Sequence, residues 1–540
     1  MSLTPSPVLG EVVINQLIQS GARDAVITPG SRNAPLTMAL WRAAASGHIR
    51  LHTRIDERSA AFLALGIARA SGLPTPVICT SGSAAANFYP ALVEAHHSAV
   101  PLIAVTADRP SRLWNTGANQ TMSQVGMYPA AGLRTVNLAV EGERIGQVAL
   151  WRNAIAAELD RGTPAHFNVE FEEPLVGSLQ WVERLDLKAT ESTVHPPQPR
   201  NLERYESHGV ILVGHDAAGI SYSDIRDFAE KTGWPILSEN PLLGDAVIAH
   251  PALILADPKR REDLRPKIAV VVGRLTLSRA LAAYQTSAEY VVVVDPRTAE
   301  VDIERDADEI HLALPTIASN TQVMIDPRWR KNFEHYAEKI AEKLPGLISE
   351  WSEPSAVKGV IEEIPDGSAL FVASSMPIRD IEAFVEPRSG IDTFANRGLA
   401  GIDGNISTAY GIALGRPRSY AILGDLAFLH DINGLLVGVD EIRPNLTIVV
   451  IANDGGGIFS TLPQRYVPGF EKIFGTPHGR DIAAIAESYG IPAVNVRTLD
   501  ALRSQLARSG TGIRVIVAQM PDRSENAALH RRVIDSLALL

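Results

Sequence analysis

Two short apolar runs, both rich in β-branched residues, constrain the fold more than any other part of the chain. They are Ser419–Leu423 and Leu446–Ala452, and runs of this kind are typical of buried parallel strands. Between them, apolar residues recur at helical spacing, which predicts a crossover helix. The residues at this spacing are Phe428, Leu429, Ile432, Leu435, Leu436 and Val439. A right-handed βαβ unit would bring the carboxyl ends of both strands to one edge of a sheet.

Polar residues follow both strands at this edge. Gly424 and Asp425 follow the first strand, and Asn453, Asp454 and Gly455 follow the second. A carboxylate, an amide oxygen and a free carbonyl in a glycine turn form an all-oxygen ligand set that suits Mg²⁺ or Ca²⁺, with phosphate oxygens completing the shell. An ordinary turn with an aspartate cap explains Gly424-Asp425 alone. The two turns together predict a metal site for a bound diphosphate.

Helices and short apolar strands alternate through the first third of the chain. Strands are predicted at 24–27, 49–52, 76–80, 101–106 and 167–170. Such alternation predicts a parallel sheet that is covered by helices on both faces, with ligands at the strand ends. A polar, proline-rich stretch over 186–200 predicts a linker. The predicted domains are therefore 1–185, 201–346 and 347–540, each α/β with a mostly parallel sheet flanked by helices.

Composition excludes several classes of protein. The 540 residues suffice for about three domains, and the formal charge of −11 argues against nonspecific binding to nucleic acid or to an anionic membrane surface. The single cysteine, Cys79, excludes an intrachain disulfide and fits a reducing cytosol. The start of the chain lacks a signal-peptide pattern, and no apolar stretch approaches the length of a membrane span. We therefore expect a cytoplasmic protein.

Gly424-Asp425, followed one helix and one strand later by Asn453, resembles the diphosphate and metal motif of the thiamine diphosphate (ThDP) enzymes. The usual third residue of that motif is Gly, and here it is Leu426. With Leu at this position, the motif resembles that of one branch of the family, the MenD enzymes. These are the 2-succinyl-5-enolpyruvyl-6-hydroxy-3-cyclohexene-1-carboxylate synthases of menaquinone biosynthesis. The chain resembles that branch over nearly its whole length.

The resemblance implies a pyrimidine-binding first domain, a central domain without a usable motif and a diphosphate-binding last domain. It implies ThDP with Mg²⁺ (Mn²⁺ or Ca²⁺ being alternatives), and metal ligands from Asp425, Asn453 and the Gly455 carbonyl. It also implies a homodimer or homotetramer in which Glu57 of one subunit meets Asp425 of another. Gly424, Leu426, Ile402 and Ile458 are the further cofactor contacts that it implies.

Glu57 lies in Arg54–Ala61, at the start of a predicted helix with an apolar face. An acidic residue in a first helical turn is stabilised by the helix dipole, and this explanation suffices for Glu57 by itself. The resemblance implies a second role, in which Glu57 shares a proton with N1′ of the aminopyrimidine and promotes its imino form. A buried carboxylate with a raised pKa suits that exchange.

Five arginines follow strands or lie in Gly/Ser turns of this acidic chain: Arg32, Arg109, Arg279, Arg379 and Arg397. Any one of them is more often a surface residue or a structural ion pair. Together they indicate recognition of small carboxylates, which a guanidinium binds bidentately. The resemblance implies that the substrates are the dicarboxylates 2-oxoglutarate and isochorismate. It adds polar contacts from Gln120 and Ser375 and an apolar pair, Ile458 and Phe459. Where some relatives carry Lys-Arg, this chain has Ser278-Arg279, so one expected cation is missing.

The implied reaction is decarboxylation of 2-oxoglutarate and conjugate addition of the succinyl carbanion to isochorismate. Another ThDP-dependent lyase or acyl transferase, such as an acetohydroxyacid synthase or a 2-oxoacid decarboxylase, is the alternative within the family. The alternative that is not an enzyme is a catalytically silent relative that acts as a binding or regulatory protein. The spacing around Gly455-Gly456-Gly457 does not match a dinucleotide-binding loop. His96 and His97 lie within a predicted helix, which indicates a structural role.

Overall fold

The structure is a computed structural model that describes residues 5–140, 146–162, 164–176, 197–297, 301–508 and 510–540. The chain divides into two compact units. Unit 1 consists of Met1–Thr193, Gly398–Pro417 and Ala427–Leu446. Unit 2 consists of Val194–Arg397, Arg418–Leu426 and Thr447–Leu540.

Helices and parallel strands alternate along the described chain, as the sequence predicts. The strands are β1 Asp24–Ile27, β2 Arg50–Thr53, β3 Thr75–Cys79, β4 Leu102–Asp108, β5 Thr135–Leu138, β6 Ala165–Glu170, β7 Gly209–Val213, β8 Ile236–Ser238, β9 Ile268–Val272, β10 Tyr290–Val294, β11 Glu309–His311, β12 Ser368–Val372, β13 Ile391–Phe394, β14 Ser419–Gly424, β15 Leu446–Ala452, β16 Ala493–Val496 and β17 Ile513–Gln519. The helices are α1 Pro5–Gln19, α2 Ala34–Ala45, α3 Glu57–Ser71, α4 Ser83–Ala86, α5 Tyr89–Ser98, α6 Gln147–Leu159, α7 Tyr222–Thr232, α8 Pro251–Ala256, α9 Pro258–Asp263, α10 Arg279–Gln285, α11 Pro327–Leu347, α12 Glu353–Glu363, α13 Met376–Phe384, α14 Asn405–Ala413, α15 Asp425–His430, α16 Ile482–Ser488, α17 Leu499–Leu506 and α18 Arg523–Leu537.

Unit 1 is built on a six-stranded sheet with the order β2-β1-β3-β4-β6-β5. All five neighbouring pairs in it are parallel. Every residue of β1, β3, β4 and β6 is buried, because helices cover both faces of a parallel sheet. The carboxyl ends of these strands therefore lie together at one edge of the sheet.

Two glycines allow α3 and α14 to pack closely within unit 1. A Cβ added to Gly66 would lie 2.2 Å from the carbonyl oxygen of Thr408, and one added to Gly411 would lie 2.3 Å from that of Leu63. Real side chains do not approach backbone atoms this closely, so the contact requires glycine at both positions. The predicted helix over Glu57–Ser71 is confirmed, including its end at Gly72, which has φ +68°.

Unit 2 contains two sheets. The first has five strands in the order β11-β10-β9-β7-β8, and all of its neighbouring pairs are parallel. The second has six strands in the order β13-β12-β14-β15-β17-β16, with β12 and β13, β12 and β14, and β16 and β17 running parallel. The α/β architecture that the sequence predicts is confirmed.

The prediction of one long crossover helix between β14 and β15 is wrong. Helix α15 ends at His430, a short 3₁₀ turn follows at Ile432–Leu435, and Val439 is 94% exposed. The reason is the buried Asp431, whose carboxylate accepts hydrogen bonds from the backbone N–H and the hydroxyl of Ser407 in unit 1. These bonds turn the chain toward α14, although the apolar spacing continues.

The predicted domain boundaries stay predictions, since residues 177–196, which include most of the predicted linker, lie outside the described residues. No helix in the described ranges combines the length and the apolar character that a membrane crossing requires.

Candidate active site

The turns after β14 and β15 meet in unit 2, as predicted. Asp425 is 1% exposed, and its Oδ2 accepts the backbone N–H groups of Asn453 at 3.0 Å and of Gly455 at 3.2 Å. Its Oδ1 accepts the N–H of Leu426 at 2.7 Å. Gly455 has φ +142°, and a Cβ there would lie 2.0 Å from the carbonyl oxygen of Gly475, so only glycine fits. The buried carboxylate thus joins the ends of two strands.

Asn453 presents an unused oxygen at the same place. Its Nδ2 donates a hydrogen bond to Oε1 of Glu353 at 2.7 Å, whereas its Oδ1 is buried and has no partner in the part of the chain that the structure describes. A buried amide oxygen without a donor is costly for the protein alone but suits a hard cation. The residues present therefore fit a Mg²⁺ ion bound between this turn and a diphosphate.

The Gly455 carbonyl differs from the expectation in one respect. It is not entirely free, because it accepts the N–H of Gly457 at 3.0 Å. A carbonyl oxygen has a second lone pair, so a metal contact stays compatible with that bond. The described residues contain no group of three or more His, Cys, Asp or Glu side chains arranged for a metal.

His478 lies beside these turns, although sequence reasoning did not identify it. Its Nε2 is 3.3 Å from Oδ2 of Asp425, and its backbone N–H donates to Oδ1 of Asp454 at 2.9 Å. The nearby carboxylate of Asp425 raises the pKa of His478, and burial opposes that effect. Nothing in the local sequence around His478 marks it, because the contact depends on chain folding over long separation.

Two of the predicted arginines, on α10 and α13 of unit 2, line one cavity. The cavity has a volume of about 420 Å³, and Arg279, Arg379 and Ile458 are among the residues that line it. Burial lowers the pKa of Arg379, and the positive charges of Arg397 and Arg279 lower it further. Arg379 donates to the carbonyl of Ser375 at 2.6 Å, which holds its guanidinium in place. Three of the five predicted substrate arginines are therefore within electrostatic range of one another.

Glu239 organises the loop that carries Arg279, and sequence reasoning missed it. This fully buried carboxylate accepts four backbone N–H groups, from His215, Thr276, Leu277 and Ser278, at 2.8–3.2 Å. Arg397 donates to the Thr276 carbonyl of the same loop at 2.7 Å. The loop between β9 and α10 is thus fixed from both sides, and Arg279 begins α10 directly after it.

A second buried carboxylate, Glu382, lies in the wall of the cavity. Burial raises its pKa to about 8, with a further contribution from the charge of Glu239, while Ser278, Arg379 and Arg397 lower it. Its Oε1 has no hydrogen-bond partner within the described ranges. Ser278, which stands where a second cation was expected, instead lies close enough to this acid to lower its pKa.

In unit 1, Glu57 begins α3 at the edge of the first sheet. Asp56 caps this helix by accepting the N–H groups of Arg58 and Ser59 at 2.9 and 3.2 Å. Glu57 is half-buried, and its charge, after burial itself, raises the pKa of the Cys79 thiol at the end of β3. Glu57 thus faces the strand ends where ligands of parallel sheets bind.

The turn before α3 is held by residues far away in sequence. Glu441 accepts the N–H of Thr53 at 2.7 Å and pairs with Arg54 at 3.0 Å, and Asn433 donates to Asp56 at 2.8 Å. All of these residues belong to unit 1. They are contacts that sequence reasoning did not identify, and they fix the position from which Glu57 projects.

Two further predicted arginines lie at the edge of the first sheet. Arg109 donates to Oγ of Ser81 at 2.5 Å and to the carbonyl of Gln120 at 3.0 Å, and it reaches Oε1 of Gln120 at 3.3 Å. Arg32 donates to the carbonyl of Phe171 at 3.0 Å. Burial lowers the pKa of Arg109, and the charge of Arg32 adds to this effect. The structure therefore brings Arg32, Arg109 and Gln120 together.

The remaining predicted contacts are apolar. Ile458 lines the arginine cavity, and the ring of Phe459 packs 5.4 Å from that of Phe474. Ile402 is half-buried in unit 1. Glu57 and Ile402 belong to unit 1, whereas the metal turns belong to unit 2, so the predicted meeting of Glu57 with Asp425 stays a prediction.

Comparison with known proteins gives a consistent result along the chain. Residues 8–127 match the N-terminal TPP-binding domain of thiamine pyrophosphate enzymes, 177–372 match the middle domain and 375–517 match the C-terminal TPP-binding domain. A protein of Thermobifida fusca is 41% identical, over 99% of both chains. Proteins of Saccharopolyspora erythraea and of a Nocardioides species are 39% and 38% identical, over 98% and 94% of this chain and 98% and 93% of theirs. All three relatives are named 2-succinyl-5-enolpyruvyl-6-hydroxy-3-cyclohexene-1-carboxylate synthase.

Proposed function

The chain belongs to the family of 2-succinyl-5-enolpyruvyl-6-hydroxy-3-cyclohexene-1-carboxylate synthases, which are thiamine pyrophosphate enzymes, and from this premise we propose that it catalyses the reaction for which these relatives are named. The substrates are 2-oxoglutarate and isochorismate, and CO₂ is released. The observation that carries the proposal, beyond the family, is that Arg279 and Arg379 line one cavity and that the charge of Arg397 acts on Arg379.

Thiamine diphosphate, when bound, supplies the electron sink for loss of CO₂ and the carbanion equivalent for the addition. The residues that would hold Mg²⁺ beside the diphosphate are Asp425, Asn453 through its Oδ1, and Gly455 through its carbonyl. Two observations support this assignment: Asp425 is buried, and the amide oxygen of Asn453 has no partner among the residues that the structure describes. Gly424 and Leu426 flank the ligand carboxylate and shape the turn around it.

Glu57 would hold and release a proton at its carboxylate oxygen, which is the group that the aminopyrimidine of thiamine diphosphate needs beside it. A carboxylate at the strand ends of the first sheet, held by the capped turn before α3, is positioned for such a task. Ile402 and Ile458 exclude water from the cofactor.

The arginines bind the substrate carboxylates. One group of carboxylates is bound by Arg279, Arg379 and Arg397, together with Ser375. Another group is bound by Arg32, Arg109 and Gln120. Four carboxylates in two substrates require several cations, whereas the neutral acceptors of an acetohydroxyacid synthase-like enzyme require fewer. Ile458 and Phe459 contact the apolar parts of the substrates.

One reaction mixture tests the proposal. Purified protein is incubated with ThDP, Mg²⁺, 2-oxoglutarate and isochorismate, and the products are identified by mass spectrometry. We expect consumption of both substrates in equal amounts, release of CO₂ and formation of the succinyl adduct. Release of CO₂ without loss of isochorismate would assign a decarboxylase instead, and no reaction of either substrate would favour a silent binding relative.

We also propose that the protein acts as a homodimer or homotetramer in the cytoplasm, with sites shared between subunits. Co-expression of Glu57→Gln and Asp425→Asn chains tests the sharing. A mixed dimer contains one chain of each variant. If each site takes Glu57 from one subunit and Asp425 from the other, one of its two sites has both native residues. We then expect about a quarter of the wild-type activity from random mixing, although each variant alone is inactive. A mixture as inactive as its parents would place both residues of a site in one chain.

A further inference from the structure

An asparagine that binds a metal must present its oxygen and not its nitrogen. The two ends of the amide have nearly the same shape, so packing alone does not select between them. A neighbouring group that accepts a hydrogen bond from the amide nitrogen can make the selection. Metal ligands are commonly fixed by such partners behind them.

Glu353 is placed to act in this way on Asn453. It lies in the first turn of α12, is 2% exposed, and its Oε1 accepts a hydrogen bond from Nδ2 of Asn453 at 2.7 Å. Because this oxygen of Glu353 accepts the hydrogen bond, the amide nitrogen is held toward Glu353. The amide oxygen then faces away from Glu353, and that oxygen is the one without a partner among the described residues.

The surroundings of Glu353 give no sign that its burial stabilises the fold. Its Oε2 has no hydrogen-bond partner in the described part of the chain. The charges nearest to it include the carboxylates of Asp380 and Asp425, which repel it. A buried carboxylate without a cationic partner normally costs stability, and an apolar residue of similar volume would avoid that cost. A residue that breaks the rules of packing in this way points to a function.

We propose that Glu353 is the positioning residue that fixes the Asn453 amide with its oxygen toward the metal. The inference rests on the proposed function, because it concerns the metal site assigned there. Without Glu353, the amide rotates between two orientations, one of which directs N–H groups at the cation. The metal then has to select the correct orientation, and its affinity falls. Loss of such a supporting partner typically costs about 10–100-fold in metal affinity.

Three variants of Glu353 and its helix test this role. Glu353→Met keeps the length of the side chain and removes both oxygens, and Glu353→Gln keeps one oxygen that can accept from Asn453. Glu363→Met, at the other end of α12 and about one-third exposed, is the matched control. Mg²⁺ affinity in the presence of saturating ThDP is measured by isothermal titration calorimetry, and folding of the apo protein is checked by circular dichroism and thermal unfolding.

We expect the Met variant at 353 to bind Mg²⁺ about 10–100-fold more weakly. The Gln variant should stay within a few-fold of wild type, and the control should not change. Wild-type affinity in Glu353→Met would overturn the proposal. An equal loss in the Gln and Met variants would also overturn it, because charge and not amide orientation would then be responsible. If the Met variant does not fold, Glu353→Leu takes its place.

Asn453→Ala separates this inference from the proposed function. If Asn453→Ala weakens Mg²⁺ binding and Glu353→Met does not, the metal site stands and the role of Glu353 is refuted. If Asn453→Ala itself leaves the affinity unchanged, the metal site is wrong and the role of Glu353 is refuted with it.

Discussion

Oδ2 of Asp425 lies 3.0 Å from the backbone nitrogen of Asn453, so a single buried carboxylate joins the carboxyl ends of β14 and β15. The same oxygen accepts the N–H of Gly455 at 3.2 Å. The turn is therefore organised by protein contacts before any ligand arrives. This preorganisation reduces the ordering that metal and diphosphate binding must otherwise impose.

Replacing Asp425 by Asn should weaken Mg²⁺ binding at least about tenfold, because the change removes the negative charge that attracts the cation. The amide also places one N–H group among the backbone donors of Asn453 and Gly455. Isothermal titration with Mg²⁺ at saturating ThDP measures the effect. Asp500→Asn, an exposed change on α17, should leave the affinity unaltered. Tight Mg²⁺ binding by Asp425→Asn would refute the assigned ligand.

Glu57→Gln should lower kcat by about 10²–10⁴-fold, because an amide cannot exchange the proton with the aminopyrimidine. The affinity for ThDP and Mg²⁺ should change only a few-fold, since Glu57 is not a diphosphate or metal contact. Steady-state rates and a ThDP titration separate the two quantities. The exposed Asp160→Asn at the end of α6 serves as the control. Unchanged turnover in Glu57→Gln would refute the proton-transfer role.

Arg379→Lys should raise KM for at least one of the two substrates by about tenfold, because lysine keeps the charge but loses the bidentate geometry. It also loses the hydrogen bond to the Ser375 carbonyl. ThDP affinity should not change. Initial rates at varied concentrations of each substrate identify the one affected, and Arg508→Lys on the surface is the control. Two unaltered KM values would remove Arg379 from the substrate site.

Glu382 should make stability fall as pH rises. Burial raises its pKa from 4.5 to about 8, so between these values the folded protein binds more protons at this site than the unfolded chain does. Folding stability therefore decreases with pH across that window. Charged groups facing Glu382 are Glu239, Arg379 and Arg397.

The variant Glu382→Gln removes this titration. Its Tm relative to wild type should rise between pH 5 and pH 8, as measured on the apo protein by differential scanning fluorimetry. Glu363→Gln, in a partly exposed position, should give a Tm difference that does not vary with pH. A Glu382→Gln difference that is constant across the range would contradict the raised pKa.

Gly66→Ala should destabilise unit 1 by about 1–3 kcal/mol, because the new methyl group would lie 2.2 Å from the carbonyl oxygen of Thr408 and force α3 and α14 apart. Thermal unfolding measures the change as a lower Tm. Gly346→Ala, also in a helix but with open space around its Cβ, should keep or slightly raise Tm. Equal Tm values for the two variants would contradict the close packing.

Local patterns in the sequence predict much of this fold. The run Leu446–Ala452 is β15 to the residue, because a continuous β-branched segment has few alternatives in an α/β chain. The prediction of a crossover helix was wrong because a tertiary contact competes with the local pattern there. Its apolar spacing persists beyond Asp431, but the tertiary hydrogen bonds of Asp431 with Ser407 override it.

The candidate site was predictable where its residues follow strands, as Asp425, Asn453 and the arginines do. Its supporting carboxylates were not. Glu353 looks like an ordinary acidic residue in a first helical turn, and Glu239 is an isolated acid after a strand. Their roles come from partners that lie 100 and 37–39 positions away, which no local pattern reports.

Helix α3, from which Glu57 projects, is anchored by α14 and by Asp431, a residue 372 positions from its partner Ser59. A truncation near residue 193, made to isolate the N-terminal domain, would therefore remove the segments that pack against this helix. The excised piece would expose the glycine-lined face of α3 to water, and it would aggregate or lose the alignment of its acid. A useful truncation would have to include residues 398–417 and 427–446, which complete unit 1.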